Sequence, residues 1–171
     1  MQGEFLSGGK PTNKTRRVTN QRQSAAYTFG YNPSLFARRV HDILSVIAQV
    51  RTYAPTEIDL VGLDGSGPWV AAARAQAAEV VTRAAIDTAG FRFAAVRDLH
   101  DPQFLPGGAK YHDLPGMLAV AAPAKLWLAG EGDSLPIPVE AAYRAAGAQD
   151  DVQQSASQQP IAAATDWLLS H

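Results

Sequence analysis

The sequence predicts an α/β fold, a parallel sheet of about four strands flanked by helices. Three observations carry this. Short apolar runs of the buried parallel type recur at Ile58–Gly62, Ala84–Asp87 and Lys125–Gly130. Stretches with helical periodicity separate them, as in right-handed βαβ units. The first run also enters a helix through a tight small-residue turn, Gly62-Leu63-Asp64-Gly65-Ser66-Gly67-Pro68.

Residues 1–26 read as a polar leader arm rich in Gly, Asn, Gln, Ser and Thr, followed by one domain over residues 27–171. Lys10, Lys14, Arg16, Arg17 and Arg22 against Glu4 give the arm a local charge of +4. It lacks the aromatic interleaving of a nucleic-acid-binding segment, so a solvated arm is expected. Asn32-Pro33 supplies an N-cap and a first-turn proline, and Phe36, Val40, Ile43, Leu44 and Ile47 follow at helical spacing. A helix is therefore expected over residues 33–51, ended by Ala54-Pro55. After the Ile58–Gly62 strand, Pro68 starts an alanine-rich helix running to about Ala78.

The Ala84–Asp87 strand ends at Thr88-Ala89-Gly90. Residues 91–113 then form an irregular excursion punctuated by Pro102, Pro106 and Gly107-Gly108. A short helix over Leu114–Ala122 leads to the third strand. Ile137–Ala146 reads as a helix, Asp151–Gln154 as a weak fourth strand, and Ile161–Leu169 as a closing amphipathic helix. No repeat of solenoid type is present.

With 171 residues the chain can bury a core of ordinary size. The formal net charge of −1 gives no bulk attraction to nucleic acid or to a membrane surface. The absence of cysteine excludes disulfides and thiolate chemistry. No apolar run reaches transmembrane length and no signal-peptide core is seen, so a soluble, cytoplasmic protein is expected.

The turn around Asp64 carries the chemistry. A sharp strand–turn–helix junction needs small residues flanking its apex, and Gly62 and Ser66 flank Asp64 in this way. Amides at the start of the following helix, beginning with that of Gly65, would face an anion held at the apex. Strand, turn and helix together resemble the nucleophile elbow of the α/β-hydrolase superfamily. Leu128–Pro136 is similar to the loop where that family keeps its acid, which places Asp133 in the role. Lys110–Gly116, running on to Ala122-Pro123, resembles acetylxylan-esterase-like and dienelactone-hydrolase-like members. Gly3-Glu4 resembles the glycine loop after the family's fourth strand.

The resemblance spans about 140 residues and implies the C-terminal half of such a fold, with the early strands missing and a degenerate triad. The apex is Asp64 where serine hydrolases carry serine. The loop expected to hold the base, Ser155–Gln159, has no histidine, and His171 lies beyond the final helix. Without earlier strands the Ile58–Val61 edge would stand open. A homodimer formed through that edge is expected.

Each candidate also has a structural alternative. Asp64 serves either as a carboxylate nucleophile, as in the dehalogenase and epoxide-hydrolase branches, or as a turn aspartate bonded to local amides. Ser66 is an alternative nucleophile or a flank of the turn. Asp133 either orients an imidazole or caps the next helix. Asp87 ends a strand facing the same crevice and is an alternative acid or a structural residue. His100 and His112, on the excursion, are candidate bases or surface histidines, and His41 is expected on an exposed helix face. No metal set and no cofactor fingerprint is present: Gly65 and Gly67 do not continue into a dinucleotide-binding pattern. The expected function is weak hydrolysis of short or activated carboxylic esters through Asp64 or Ser66. The alternative is a non-catalytic hydrolase remnant acting as a structural or binding module.

Overall fold

The computed structural model describes residues 29–157 and 159–170; the leader arm and His171 lie outside them. Helix α1 (Leu35–Arg51) leads into strand β1 (Asp59–Gly62) and helix α2 (Gly67–Gln76). Strand β2 (Arg83–Asp87), a 3₁₀ turn at Phe93–Ala95, helix α3 (Asp113–Val120) and strand β3 (Lys125–Ala129) follow. Helix α4 (Ile137–Ala145), a 3₁₀ turn at Gln149–Asp151, strand β4 (Val152–Ser155) and helix α5 (Pro160–Ser170) complete the order.

The four strands form one sheet in the order β1-β2-β3-β4, every pair parallel. Each strand is thus added beside its predecessor, and the alternating run of strands and helices gives the α/β architecture its sequence predicts. The weak strand is real: Leu126 pairs with Val152 and Ala129 with Ser155.

The period-2 alternation of a strand divides the core in two. Ala84 and Ile86 of β2 and Leu126 and Leu128 of β3 face one side, under Phe36 and Val40 of α1, Val70 to Ala73 of α2, Leu114 and Leu118 of α3, and Val139 and Tyr143 of α4. Ala85, Trp127 and Ala129 face the other side, covered by Ala164 and Trp167 of α5. That explains why β2 and β3 read as continuous apolar runs. Strand β1 differs. Its outer edge has no neighbour among the described residues, and Val61 is 47% exposed. Arg83 ties β1 to β2 at their first pair, with a bidentate contact to Asp59.

One expectation at the start of α1 is corrected. The cap is Ser34, whose Oγ accepts from the Ala37 amide at 3.2 Å, and the helix begins at Leu35 rather than at Pro33. Ser34 is extended, at φ −63° and ψ 161°, and its hydroxyl reaches the third residue on, satisfying one of the amides a helix start leaves without a partner. Among the described residues no helix is long and apolar enough to cross a membrane.

Candidate functional site

Parallel strands send their following loops to one edge of the sheet, and ligands of open α/β sheets bind there. The loops after β1, β2 and β3 therefore carry Asp64, Asp87 to Arg92, and Glu131 to Asp133 on the same edge. Adjacent strands lie about 4.8 Å apart, so the loops after β1 and β3 sit about 10 Å from each other, with that of β2 between them.

The junction after β1 is tight. A Cβ added at Gly62 would stand 2.7 Å from the Val70 Cβ, and one at Gly67 only 1.9 Å from the carbonyl oxygen of Asp87. Helix α2 thus lies against both β1 and β2 with no room for a side chain at either position. Asp64 takes φ 52° and Gly65 φ 81°. A positive φ is uncommon for a residue with a side chain and costs roughly 1 kcal/mol or more. Asp64 is exposed at the apex and makes no side-chain hydrogen bond or ion pair among the described residues. The expected alternative, a turn aspartate bonded to local amides, is not what the turn contains. Gly65 has open space where a side chain would stand.

Ser66 is committed elsewhere: its Oγ donates to the Leu63 carbonyl at 2.6 Å. At the end of β2, Asp87 Oδ1 accepts from the Ala89 amide at 2.9 Å, closing a local turn. Gly130 passes so close that a Cβ would meet Asp87 Oδ1 at 2.6 Å. Asp133 is exposed and has no side-chain partner among the described residues. The helix-capping role considered for it is corrected, because the cap position of α4 is Pro136, three residues further on.

The histidines are spread. His112 is exposed, at φ 70°, in the cap position of α3 without a capping bond. Its neighbour Asp113 does not orient it, since both carboxylate oxygens serve amides: Phe93 at 2.8 Å, Ala94 at 2.9 Å and Leu114 at 2.7 Å. Asp113 thereby pins the excursion to α3. His100 is partly buried, and its Nδ1 is buried without a hydrogen-bond partner among the described residues. Three residues on, Gln103 Oε1 accepts from the Trp69 indole at 2.6 Å, which docks this part of the excursion on the first turn of α2. His41 is exposed on α1, as expected. Among the described residues no three His, Asp or Glu side chains gather closely enough to hold a metal ion.

Two clusters carry no mark in the sequence. The first is Thr88, Arg92 and Glu131. The Glu131 side chain is 1% exposed, yet its carboxylate is satisfied: Thr88 Oγ1 donates to one oxygen and the Arg92 guanidinium spans both. Hydrogen bonding to Glu131 holds the Arg92 pKa above its ordinary value, more strongly than burial lowers it. Spacing gives no hint of this, because 39 residues separate the partners. The second is Arg74, fully buried in the last turn of α2. Its Nη2 donates to the Ala124 carbonyl at 2.5 Å and to the Tyr143 hydroxyl at 3.0 Å. A lone arginine in an alanine-rich helix reads as exposed; here its long stem crosses the core to the start of β3. The search of protein-family models, of curated proteins and of solved structures returned no match to the chain.

Proposed function

We propose that the carboxyl edge of this sheet is a degenerate α/β-hydrolase-type site that slowly hydrolyses short, activated carboxylic esters, with Asp64 as the nucleophile. The observation that carries the proposal is the apex itself. A partnerless carboxylate stands at φ 52° on a junction packed too tightly for side chains at Gly62 and Gly67.

An Asp64 carboxylate oxygen would attack the ester carbonyl, with the Gly65 amide beside the developing oxyanion. Collapse of the tetrahedral intermediate expels the alcohol or phenol oxygen as the leaving group and leaves an acyl–aspartate mixed anhydride. Water then cleaves the anhydride, releasing the acid and restoring Asp64. A carboxylate is a poor nucleophile, so esters with good leaving groups are favoured and turnover is slow. Asp133, on the loop after β3, would be the acid of the site. His100, with its unpartnered Nδ1 on the segment docked at α2, is better placed as a proton acceptor than the exposed His112.

A non-catalytic binding module is the second reading. It is favoured by the engagement of Ser66 Oγ with Leu63 and of Asp113 with backbone amides, which takes the adjacent carboxylate away from His112. Hydrolysis of a short chromogenic ester by the purified chain and by Asp64→Ala separates the two. A loss of about tenfold or more in kcat/KM supports the nucleophile. Equal rates in the two proteins would leave the module reading standing.

A further inference from the structure

We propose that Arg92, braced from behind by the buried Glu131, is an oxyanion-docking point on the carboxyl edge, taking a carboxylate or phosphate group of a ligand. This goes beyond the hydrolytic proposal and does not depend on it.

A guanidinium has two faces that can each grip two oxygens. The end-on face, formed by Nη1 and Nη2, is filled by Glu131, with Nη1 at 3.1 Å from Oε1 and Nη2 on Oε2. The other Nη1 hydrogen is used as well, on the Phe91 carbonyl at 2.7 Å. The side-on face remains. It consists of the Nε–H and the second Nη2–H, which point the same way at the spacing of two oxygens on one ligand group. Nε has no acceptor among the described residues, and the side chain is 35% exposed, so this face opens to solvent.

Arg83 shows what a wholly structural arginine does in the same fold. Its Nε and Nη2 grip Asp59, and its Nη1 reaches the Leu168 carbonyl. Arg92 instead keeps that side-on pair open beside the loops of Asp87 and Asp133.

Glu131 matters because it fixes the plane of the fork. An arginine that must order itself on binding loses side-chain entropy, and here the ordering is already done by the protein. Thr88 locks Glu131 in turn, from the residue that follows β2. The pair is neutral overall, and Asp113 adds negative charge near Arg92. Affinity for a simple anion is therefore modest and weakened by salt. Selectivity comes from the fork, which a lysine cannot imitate.

The test is a titration of the full chain at low ionic strength with inorganic phosphate and, separately, with acetate. The readout is the Arg92 Nε–H signal in a ¹H–¹⁵N correlation spectrum. Saturable movement of this signal, at concentrations that leave the exposed Arg144 Nε–H unmoved, supports the proposal, and the ratio of the two affinities tells a tetrahedral from a planar oxyanion. Arg92→Lys, which keeps the charge facing Glu131 but removes the side-on fork, should weaken binding about tenfold, read in both proteins from the backbone amide signals of the loop after β2. Asp64→Ala should leave it unchanged, which separates this site from the hydrolytic proposal. An Arg92 signal that moves only in step with Arg144, or anion binding equally strong in Arg92→Lys, overturns it.

Discussion

Replacing Gly67 by alanine tests the contact on which the whole site stands. The added Cβ would lie 1.9 Å from the Asp87 carbonyl oxygen. A comfortable C···O approach is about 3.3 Å, so α2 must retreat from β2 by about 1.4 Å. Neither partner can swing aside, because one is a helix backbone and the other the last peptide of a central strand. The retreat would also loosen Ala71, Ala73 and Ile86, all essentially buried. Overpacking of this kind costs about 3 kcal/mol or more.

Gly65 is the internal control. Nothing lies within 4 Å of its added Cβ, and the penalty is that of a positive φ alone, about 1–2 kcal/mol. Gly62→Ala should fall between the two, since its Cβ meets the side chain of Val70, which can shift. With a urea m-value of about 2 kcal/mol/M, a difference of about 2 kcal/mol separates the midpoints of Gly67→Ala and Gly65→Ala by about 1 M. Far-UV circular dichroism and the fluorescence of the buried Trp127 give two probes of one transition. Coincident midpoints for Gly65→Ala and Gly67→Ala would refute the close seat of α2 on β2, and with it the fixed placement of Asp64.

Two further outcomes follow from the buried groups. Burial of the Tyr143 phenol, offset in part by Arg74, raises its pKa above the ordinary value of about 10. Its contribution to stability is thus complete below that pH and lost as pH rises through the folded-state value. Tyr143→Phe should cost about 1–2 kcal/mol at neutral pH and flatten the alkaline loss, read from urea midpoints across the alkaline range; parallel alkaline losses in both proteins would contradict this. In the Arg92–Glu131 pair, Arg92→Gln strands a carboxylate that is 1% exposed, at a cost of about 3 kcal/mol. Glu131→Gln frees a guanidinium that water already reaches and should cost about 1 kcal/mol. Thermal melts that reversed this order would show that Glu131 is less enclosed than its geometry indicates.

Much of this molecule was legible in its sequence because the relevant physics is local. Apolar runs such as Lys125–Ala129 announce strands buried on both faces, Gly62 and Ser66 flanking Asp64 announce a tight strand–turn–helix junction, and Pro68 marks the first turn of a helix. The parallel sheet and the exposed apex at Asp64 follow from those patterns. The weak fourth strand expected at Asp151–Gln154 forms one residue later, over Val152–Ser155.

What the tertiary structure decided are the partners of polar groups. The sequence points to Asn32 as the cap of α1, whereas the folded chain uses Ser34, whose Oγ accepts from the Ala37 amide. The carboxylate of Asp113, beside His112 in the sequence, turns to the amides of Phe93 and Ala94. The sequence points to Asp133 as the acid of this loop, but the fold leaves Asp133 in water and buries Glu131, two residues earlier, against Arg92. Such choices depend on which groups the folded chain brings within hydrogen-bonding distance, and a buried charge must find its partner wherever the topology places one. Periodicity records which face of an element is apolar; it holds no record of what crosses from a neighbouring element to meet a single polar atom.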